Sequence, residues 1–304
     1  MDKSYIKAHL SLLAANIIYG INYSVAKDVM PSYIGPSGFV FLRVSGALIL
    51  FWIFSFFLKK EKIESKDIIR LMLCGFFGVA LNQLLFFEGL SLTTPINAGI
   101  IMVTTPILVL IISSILIREK VTGTKVIGIL TGITGAMILI LFNSQLSVHH
   151  GDSLGDLFIF LNATSYAVYL AMVKPLMKKY QTFTVIKWIF LWGFIFVFPF
   201  GWNGFSLVEW AIIPITIWYK IAFVVLGTTF LAYLLNTYAL KVVTPTVASI
   251  YIYLQPLFAA FIALMLGKDE ITLLKIVSTI LIFTGVYLVS KQTKNKEEFI
   301  PSKI

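Results

Sequence analysis

The stretch TTPINAGIIMVTTP, Thr93–Pro106, belongs to an apolar run that continues to Ile117 and stops at the charged triplet REK. A second stretch, VTPTVASIYIYLQP at Val243–Pro256, repeats its two prolines at the same spacing, 150 positions later. Laying the second half over positions 84–135 in that frame requires no gap. Fourteen of the fifty-two positions are then identical, among them Pro95/Pro245, Pro106/Pro256, Thr94/Thr244, Thr122/Thr272, Lys125/Lys275 and Gly135/Gly285. Leucine and isoleucine matches are cheap in an apolar chain. Proline, glycine, lysine and threonine matches in one frame are not, and they identify an internal duplication.

Composition sets the solvent in which the duplicated units fold. Of 304 residues, 59% are hydrophobic and 12% are charged, whereas soluble domains carry about 25% charged residues. Several uncharged apolar runs reach about 18 residues, the length that crosses a bilayer core. The chain reads as a polytopic membrane protein. Ten spans are predicted, at about 8–28, 36–58, 68–90, 95–117, 123–142, 153–174, 183–200, 217–240, 245–267 and 271–290. Each must be helical, because lipid leaves no other partner for the backbone. The N-terminal segment lacks a convincing cleavage site and is read as a retained first span. Between spans 7 and 8, Trp202, Trp210 and Trp218 suit the headgroup level. The lone Cys74 lies in an apolar setting and is expected to be packed.

The net charge of +10 comes from basic loops. With the N-terminus in the cytoplasm, 19 of the 24 Lys and Arg fall on the cytoplasmic side. Lys27, Lys220, Lys268 and Lys275 fall outside, and Arg43 lies within span 2. This bias predicts that both termini are cytoplasmic, and the membrane is expected to be a bacterial inner (plasma) membrane. Nucleic acid is not expected as a partner.

The first helices of the two halves also correspond. YGINYSVAK (Tyr19–Lys27) sits over YAVYLAMVK (Tyr166–Lys174) at an offset of 147. The repeating unit is therefore five spans, an odd number, so its two copies enter the membrane from opposite sides. The predicted fold is all-α: ten transmembrane helices as two inverted-topology five-helix repeats around a central cavity. The units are 1–146 and 147–291, followed by a cytoplasmic tail, 292–304. Secondary transporters use this architecture, with substrate near the midplane. Pro95 and Pro245 fall in a first helical turn, where a missing N–H costs little. Pro106 and Pro256 lie about eleven residues further on, roughly 16 Å along the axis. They are expected to kink their helices at mid-depth and to serve gating.

Polar side chains at mid-span face a cavity or a neighbouring helix. Asn16, Tyr19 and Tyr23 share one face of span 1; Asn162, Tyr166 and Tyr169 share one of span 6; Thr229, Tyr233 and Asn236 share one of span 8. On span 9, Ser249 pairs with Tyr253 and Tyr251 with Gln255, while Asn82 and Asn97 add to the first half. Amides and phenols of this kind orient a small polar molecule. The alternative for each residue is an interhelical hydrogen bond. Arg43 and Glu88 are expected to form an ion pair near the outer interface. Their functional alternatives are proton exchange at Glu88 and a substrate carboxylate held by Arg43. Gly128, Gly132 and Gly135 allow close helix approach, expected within the repeat, with a dimer contact as alternative. His149 and His150 read as solvated loop residues rather than metal ligands.

The segments LSLTTPINAGIIMVTTPILVLIISSILIREKVTGTKVIGILTGITGAMIL and LKVVTPTVASIYIYLQPLFAAFIALMLGKDEITLLKIVSTILIFTGVYLV carry a family likeness. So do YGINYSVAK and FLRVSGALIL. The chain resembles the drug/metabolite transporter superfamily, specifically EamA-type transporters with two EamA repeats. The resemblance implies a ten-helix basket with a central cavity, and export of amino acids or other small metabolites by alternating access. It departs from the pattern where REK is answered by GKDE, with Asp269 over Glu119. The implied partners are a small-molecule substrate and the bilayer. No cofactor or metal is implied, and the oligomeric state is open, with a monomer as the default. An exchanger of phosphorylated sugars or nucleotide sugars would want several cavity cations, and only Arg43 is a candidate. A membrane enzyme is the weaker reading, since H-E-x-x-H, G-x-S-x-G and the P-loop pattern are absent from the sequence.

Overall fold

A computed structural model describes residues 3–58, 60–93, 95–142, 153–265 and 272–291. Among these the chain is helical throughout, with no strand. Ten membrane-length elements follow one another. They are α1 (Lys3–Val29), α2 (Pro36–Phe56), α3 (Ser65–Leu92), α4 (Pro95–Met102 and Thr105–Leu116), α5 (Gly123–Phe142), α6 (Ser153–Lys179), α7 (Thr182–Ser206), α8 (Ile215–Ala239), α9 (Pro245–Ile250 and Leu254–Met265) and α10 (Leu273–Ser290). Eight are long and apolar enough to cross a bilayer. The other two are α1, diluted by Asn16, Tyr19 and Asn22, and α9. The same two helices carry polar side chains to the centre of the molecule, as described below.

The inverted arrangement is visible in which chain ends touch. At one face, the Tyr5 hydroxyl donates to the Ser290 carbonyl. On that face the α2–α3 turn also meets the α6–α7 turn: the Gln181 N–H donates to Glu61 at 2.9 Å and the Glu64 N–H to the Tyr180 hydroxyl at 3.1 Å. Lys179 sits 2.6 Å from both Glu64 and Asp67. Hydrogen bonds from Lys179 and then Lys66 hold the Glu64 carboxyl below the usual carboxylate range. Its folded pKa lies below the unfolded value, so the stabilisation is present at neutral pH and fades as the pH falls. At the opposite face, Lys220 meets Asp28 at 2.6 Å and Thr93 meets Asp156 at 2.5 Å. Alternating helices satisfy all these pairs only if α1 and α6 run in opposite directions.

Packing follows a pseudo-two-fold axis. Helix α5 packs chiefly on its repeat mate α10, and α2 on its mate α7. Helix α3 packs on α6 as α8 packs on α1, and α4 on α6 as α9 on α1. The most extensive contacts therefore join the two repeats, which are units of sequence rather than separate bodies. Their outward faces carry Ile49, Ile53, Ile115, Ile127, Phe200 and Ile280 exposed, as a lipid-facing surface requires. Trp202 and Trp218 are also exposed, and Trp210 stacks near Trp218 at 5.8 Å.

The duplicated prolines act differently from a simple kink. Helix α4 ends at Met102 and restarts at Thr105, so Pro106 sits in the first turn of a new half-helix. Its missing N–H leaves the Met102 carbonyl open, and the Thr105 hydroxyl fills it at 2.6 Å. The Thr104 hydroxyl also donates to the Ile101 carbonyl at 2.7 Å, beside the Thr104 N–H at 3.0 Å. In α9 the break is a 3-10 turn, Tyr251–Tyr253, just ahead of Pro256, and the Leu254 N–H reaches the Ile252 carbonyl. Both breaks fall at repeat-equivalent positions. So do two π-helical stretches, Phe76–Ala80 in α3 and Phe223–Leu231 in α8, which proline and glycine placement does not announce. Thr122 and Thr272 cap α5 and α10 by accepting from the N–H groups of Lys125 and Lys275. Lys125 pairs with Glu119 at 3.0 Å, whereas Asp269 and Lys268 lie outside the described residues. His149 and His150 also lie outside them.

The glycines of α5 overturn the intra-repeat expectation. A Cβ on Gly285 would lie 2.7 Å from the Gly128 carbonyl and 2.8 Å from the Gly132 Cα. The crossing joins the two repeats, since α5 and α10 touch backbone to backbone. Gly285→Leu is expected to force these helices apart and to cost about 1–3 kcal/mol or more, read as a lowered melting temperature in detergent. Gly123→Ala, with open space around it, should stay within about 0.5 kcal/mol of wild type. Equal melting of the two variants would disprove the close crossing.

Candidate functional site

Six helices, in three repeat-related pairs, wall a central cavity: α1 with α6, α3 with α8, and α4 with α9. Its volume is about 110 Å³. From α1 come Asn16, Tyr19 and Asn22, and from α6 Asn162 and Tyr166. Helix α3 brings Asn82, Gln83, Phe86 and Phe87; α8 brings Thr228, Tyr233 and Asn236. Met102 ends the first half of α4, and Ala248, Ile252 and Gln255 flank the break in α9. The two helix breaks thus abut the cavity. Among the described residues, only one lining residue, Arg43 of α2, comes from outside these pairs.

The polar wall is stitched across the repeats. Gln255 Nε2 donates to Asn16 Oδ1 at 2.9 Å, and Asn16 Nδ2 donates to its own helix at the Leu12 carbonyl. Asn82 and Asn162 exchange bonds: Asn162 Nδ2 donates to the Asn82 carbonyl at 2.7 Å, and Asn82 Nδ2 to the Asn162 carbonyl at 3.4 Å. Gln83 Nε2 donates to the Tyr233 hydroxyl at 3.3 Å, which donates to the Gly78 carbonyl at 3.1 Å. Thr228 donates to Asn22 Oδ1 at 3.2 Å, and within the second repeat Asn236 donates to the Tyr166 hydroxyl at 2.6 Å. Gln83 and Tyr233 are 150 positions apart, so they are repeat mates. Mates touch only near the pseudo-two-fold axis, which places the axis through the cavity.

Arg43 is 3% exposed. Its Nε donates to Thr229 Oγ1 at 3.0 Å, its guanidinium lies 4.4 Å from the Phe87 ring centre, and its Nη1 is buried without a partner. The expected ion pair with Glu88 is not formed among the described residues. Arg43 turns inward from α2, whereas Glu88, half-buried, takes a bond from the Ser37 backbone. Spacing alone could not show that Arg43 and Glu88 face different neighbours.

Of the other predicted residues, Tyr169 stands behind Tyr166, with ring centres 6.0 Å apart and its hydroxyl on Thr237 at 3.1 Å. Tyr251 leaves the wall and meets His9 Nδ1 at 2.5 Å. Asn97 is half-buried away from the lining, and the side chain of Tyr23 lies outside the described set. Ser249 bonds its own helix at Thr246, and Tyr253 is buried against Gly132. Among the residues missed by the sequence reading, Gln83 is marked by the repeat frame that places Tyr233 over it. Asn22 is three residues beyond Tyr19 and shares its face.

A model of the EamA-like transporter family matches residues 6–141 and again 153–291. An uncharacterized transporter, YetK, of Bacillus subtilis is 26% identical over 98% of this chain and 91% of its own. A second from that organism, YyaM, is 24% identical over 94% of each. A WAT1-related protein of Arabidopsis thaliana is 24% identical over 89% of this chain and 79% of its own. A solved structure described only as a crystal structure of a protein superposes with a TM-score of 0.74, at 16% identity, covering 92% of this chain and 95% of that one.

Cys74, the only cysteine, is fully buried, and a thiol must ionise and be reached to react. Asn22→Cys and Asn236→Cys should therefore label with a small hydrophilic methanethiosulfonate in detergent while wild type stays unlabelled. Inert cysteines at both cavity positions would mean that water does not enter the cavity.

Proposed function

The chain belongs to the EamA-like transporter family, and on that premise we propose that it exports small polar metabolites such as amino acids by alternating access. The observation that carries this reading is the cavity wall: three repeat-related helix pairs contribute amides and phenols, and their bonds cross from one repeat to the other. In hydrocarbon such side chains have no water to pair with, so their collection at one place marks a path for polar cargo.

The faces supply a means of alternation. Glu61, Glu64 and Asp67 of the first repeat meet Lys179 and Gln181 of the second at one face; Asp28 and Thr93 meet Lys220 and Asp156 at the other. Opening one set while the other stays closed exposes the cavity to one side at a time; because the repeats interleave, the moving parts are helix pairs that cross the repeat boundary. Exposed ion pairs contribute only about 0–1 kcal/mol each, so such contacts exchange readily. The half-helices of α4 and α9 place chain breaks beside the cargo, where Pro106 and Pro256 permit a change of angle at each repeat.

The basic loops support both termini in the cytoplasm; a bacterial inner membrane is read from the bacterial relatives, and export follows the family resemblance. Exchange of sugar phosphates is disfavoured by a cavity of about 110 Å³ with one cation among the described residues of its wall.

Asn16→Ala and Tyr166→Ala should express and fold normally yet lose transport by at least about tenfold, since each removes a bond that a cavity group needs. Uptake into proteoliposomes of labelled amino acids, with and without a pH gradient, measures this. Normal transport by both variants would refute the cavity assignment. Tags at residues 145–151 should report the compartment opposite to tags at both chain ends. A shared compartment would contradict the inverted insertion.

A further inference from the structure

We propose that Arg43 reads the charge of the cargo and that the cavity takes a small molecule with one carboxylate and additional hydrogen-bond donors. This rests on the transporter reading and narrows it. A guanidinium stays charged at any accessible pH, and a buried charge in a membrane protein ordinarily has a counter-charge. Among the described residues no carboxylate pairs with Arg43. What surrounds it is neutral. Thr229 gives its own proton to the Val224 carbonyl and so accepts from Nε, which holds the guanidinium in one orientation. Phe87 lies across its face, with Phe39 further off at 5.8 Å. Nη1 remains buried and unpartnered on a residue that lines the cavity. A planar fork with a free edge matches a carboxylate.

The rest of the wall limits the cargo further. Asn162 Oδ1 and Gln83 Oε1 are buried acceptors without partners, on residues that also line the cavity. They call for donors on the cargo, such as hydroxyl or amino groups, and they repel a second negative charge. The repeat does not duplicate the cation: shifts of 147 to 150 place Phe190, Leu191, Trp192 and Gly193 over Arg43. One anionic group is therefore recognised, at the α2 side of an otherwise two-fold wall, and the cargo is oriented by that asymmetry.

The test uses full-length protein in proteoliposomes and two matched pairs, L-lactate with L-lactamide and L-alanine with L-alaninamide. Binding is read as thermal stabilisation and transport as uptake of labelled compound. At least one acid should bind and be carried at least about tenfold better than its amide, as expected for a charge-assisted contact. Arg43→Gln should abolish that preference, and Arg43→Lys should restore part of it. Without ligand, Arg43→Gln should melt no lower than wild type; a lower melting temperature with the acid preference intact would make Arg43 structural and overturn the proposal. It also fails if amides are handled as well as acids, or if neither acid binds. If acids bind in an Arg43-dependent way but none crosses, Arg43 keeps its role and the transporter reading falls instead.

Discussion

A polar side chain in hydrocarbon has no water as a second choice of partner. An unpaired amide or hydroxyl there costs several kcal/mol, while a formed interhelical bond contributes about 0.6 kcal/mol on average. The penalty for an orphan exceeds the reward for a bond, so polar groups are driven to one another and away from lipid. In this chain that constraint gathers Asn16, Gln255, Asn82, Asn162, Gln83 and Tyr233 at the repeat interface. The cavity is where their partners converge without filling the space.

The same rule explains how the broken helices survive. Proline in α4 removes a backbone donor, and a threonine hydroxyl one residue earlier replaces it. Thr244 and Thr272 cap the starts of α9 and α10. Each irregularity is satisfied from within a few residues of sequence, which lets a duplicated gene carry break and repair together. The helix contacts then follow the two-fold relation, with α5 on α10 and α2 on α7 as mates. Function enters where the symmetry fails. Arg43 has no counterpart in α7, and among the described residues it is the one charged group on the wall. The placement of Thr229 against it, from the other repeat, links the charge to the interface between the repeats.

Several features were legible because they are local or periodic. The frame shift of 150 anticipated the paired breaks near Pro106 and Pro256, though not that each helix would restart with its proline in the first turn. Periodicity grouped Asn16, Tyr19, Tyr166, Tyr233 and Asn236 on helix faces that line the cavity, because 3.6 residues per turn determines which positions share a side. It failed for Tyr251, since the 3-10 turn at Tyr251–Tyr253 rotates that side chain off the expected face toward His9. Gly128, Gly132 and Gly135 announced a close crossing, but a stripe of small residues does not name its partner.

The amino-acid sequence by itself determined that the chain lies in a membrane, that it is built from two copies of five helices, and that the copies are inverted. These follow from composition, from an odd repeat and from the bilayer's demand for satisfied backbone, none of which needs a three-dimensional contact. Tertiary structure alone decided that Arg43 faces Thr229 and Phe87 rather than Glu88, that α5 meets α10, and that Gln83 meets its own mate. Those outcomes depend on the rotation of each helix about its axis and on which neighbour lies there. That rotation is a sum of many small packing terms spread over distant residues, and no short stretch of sequence contains it.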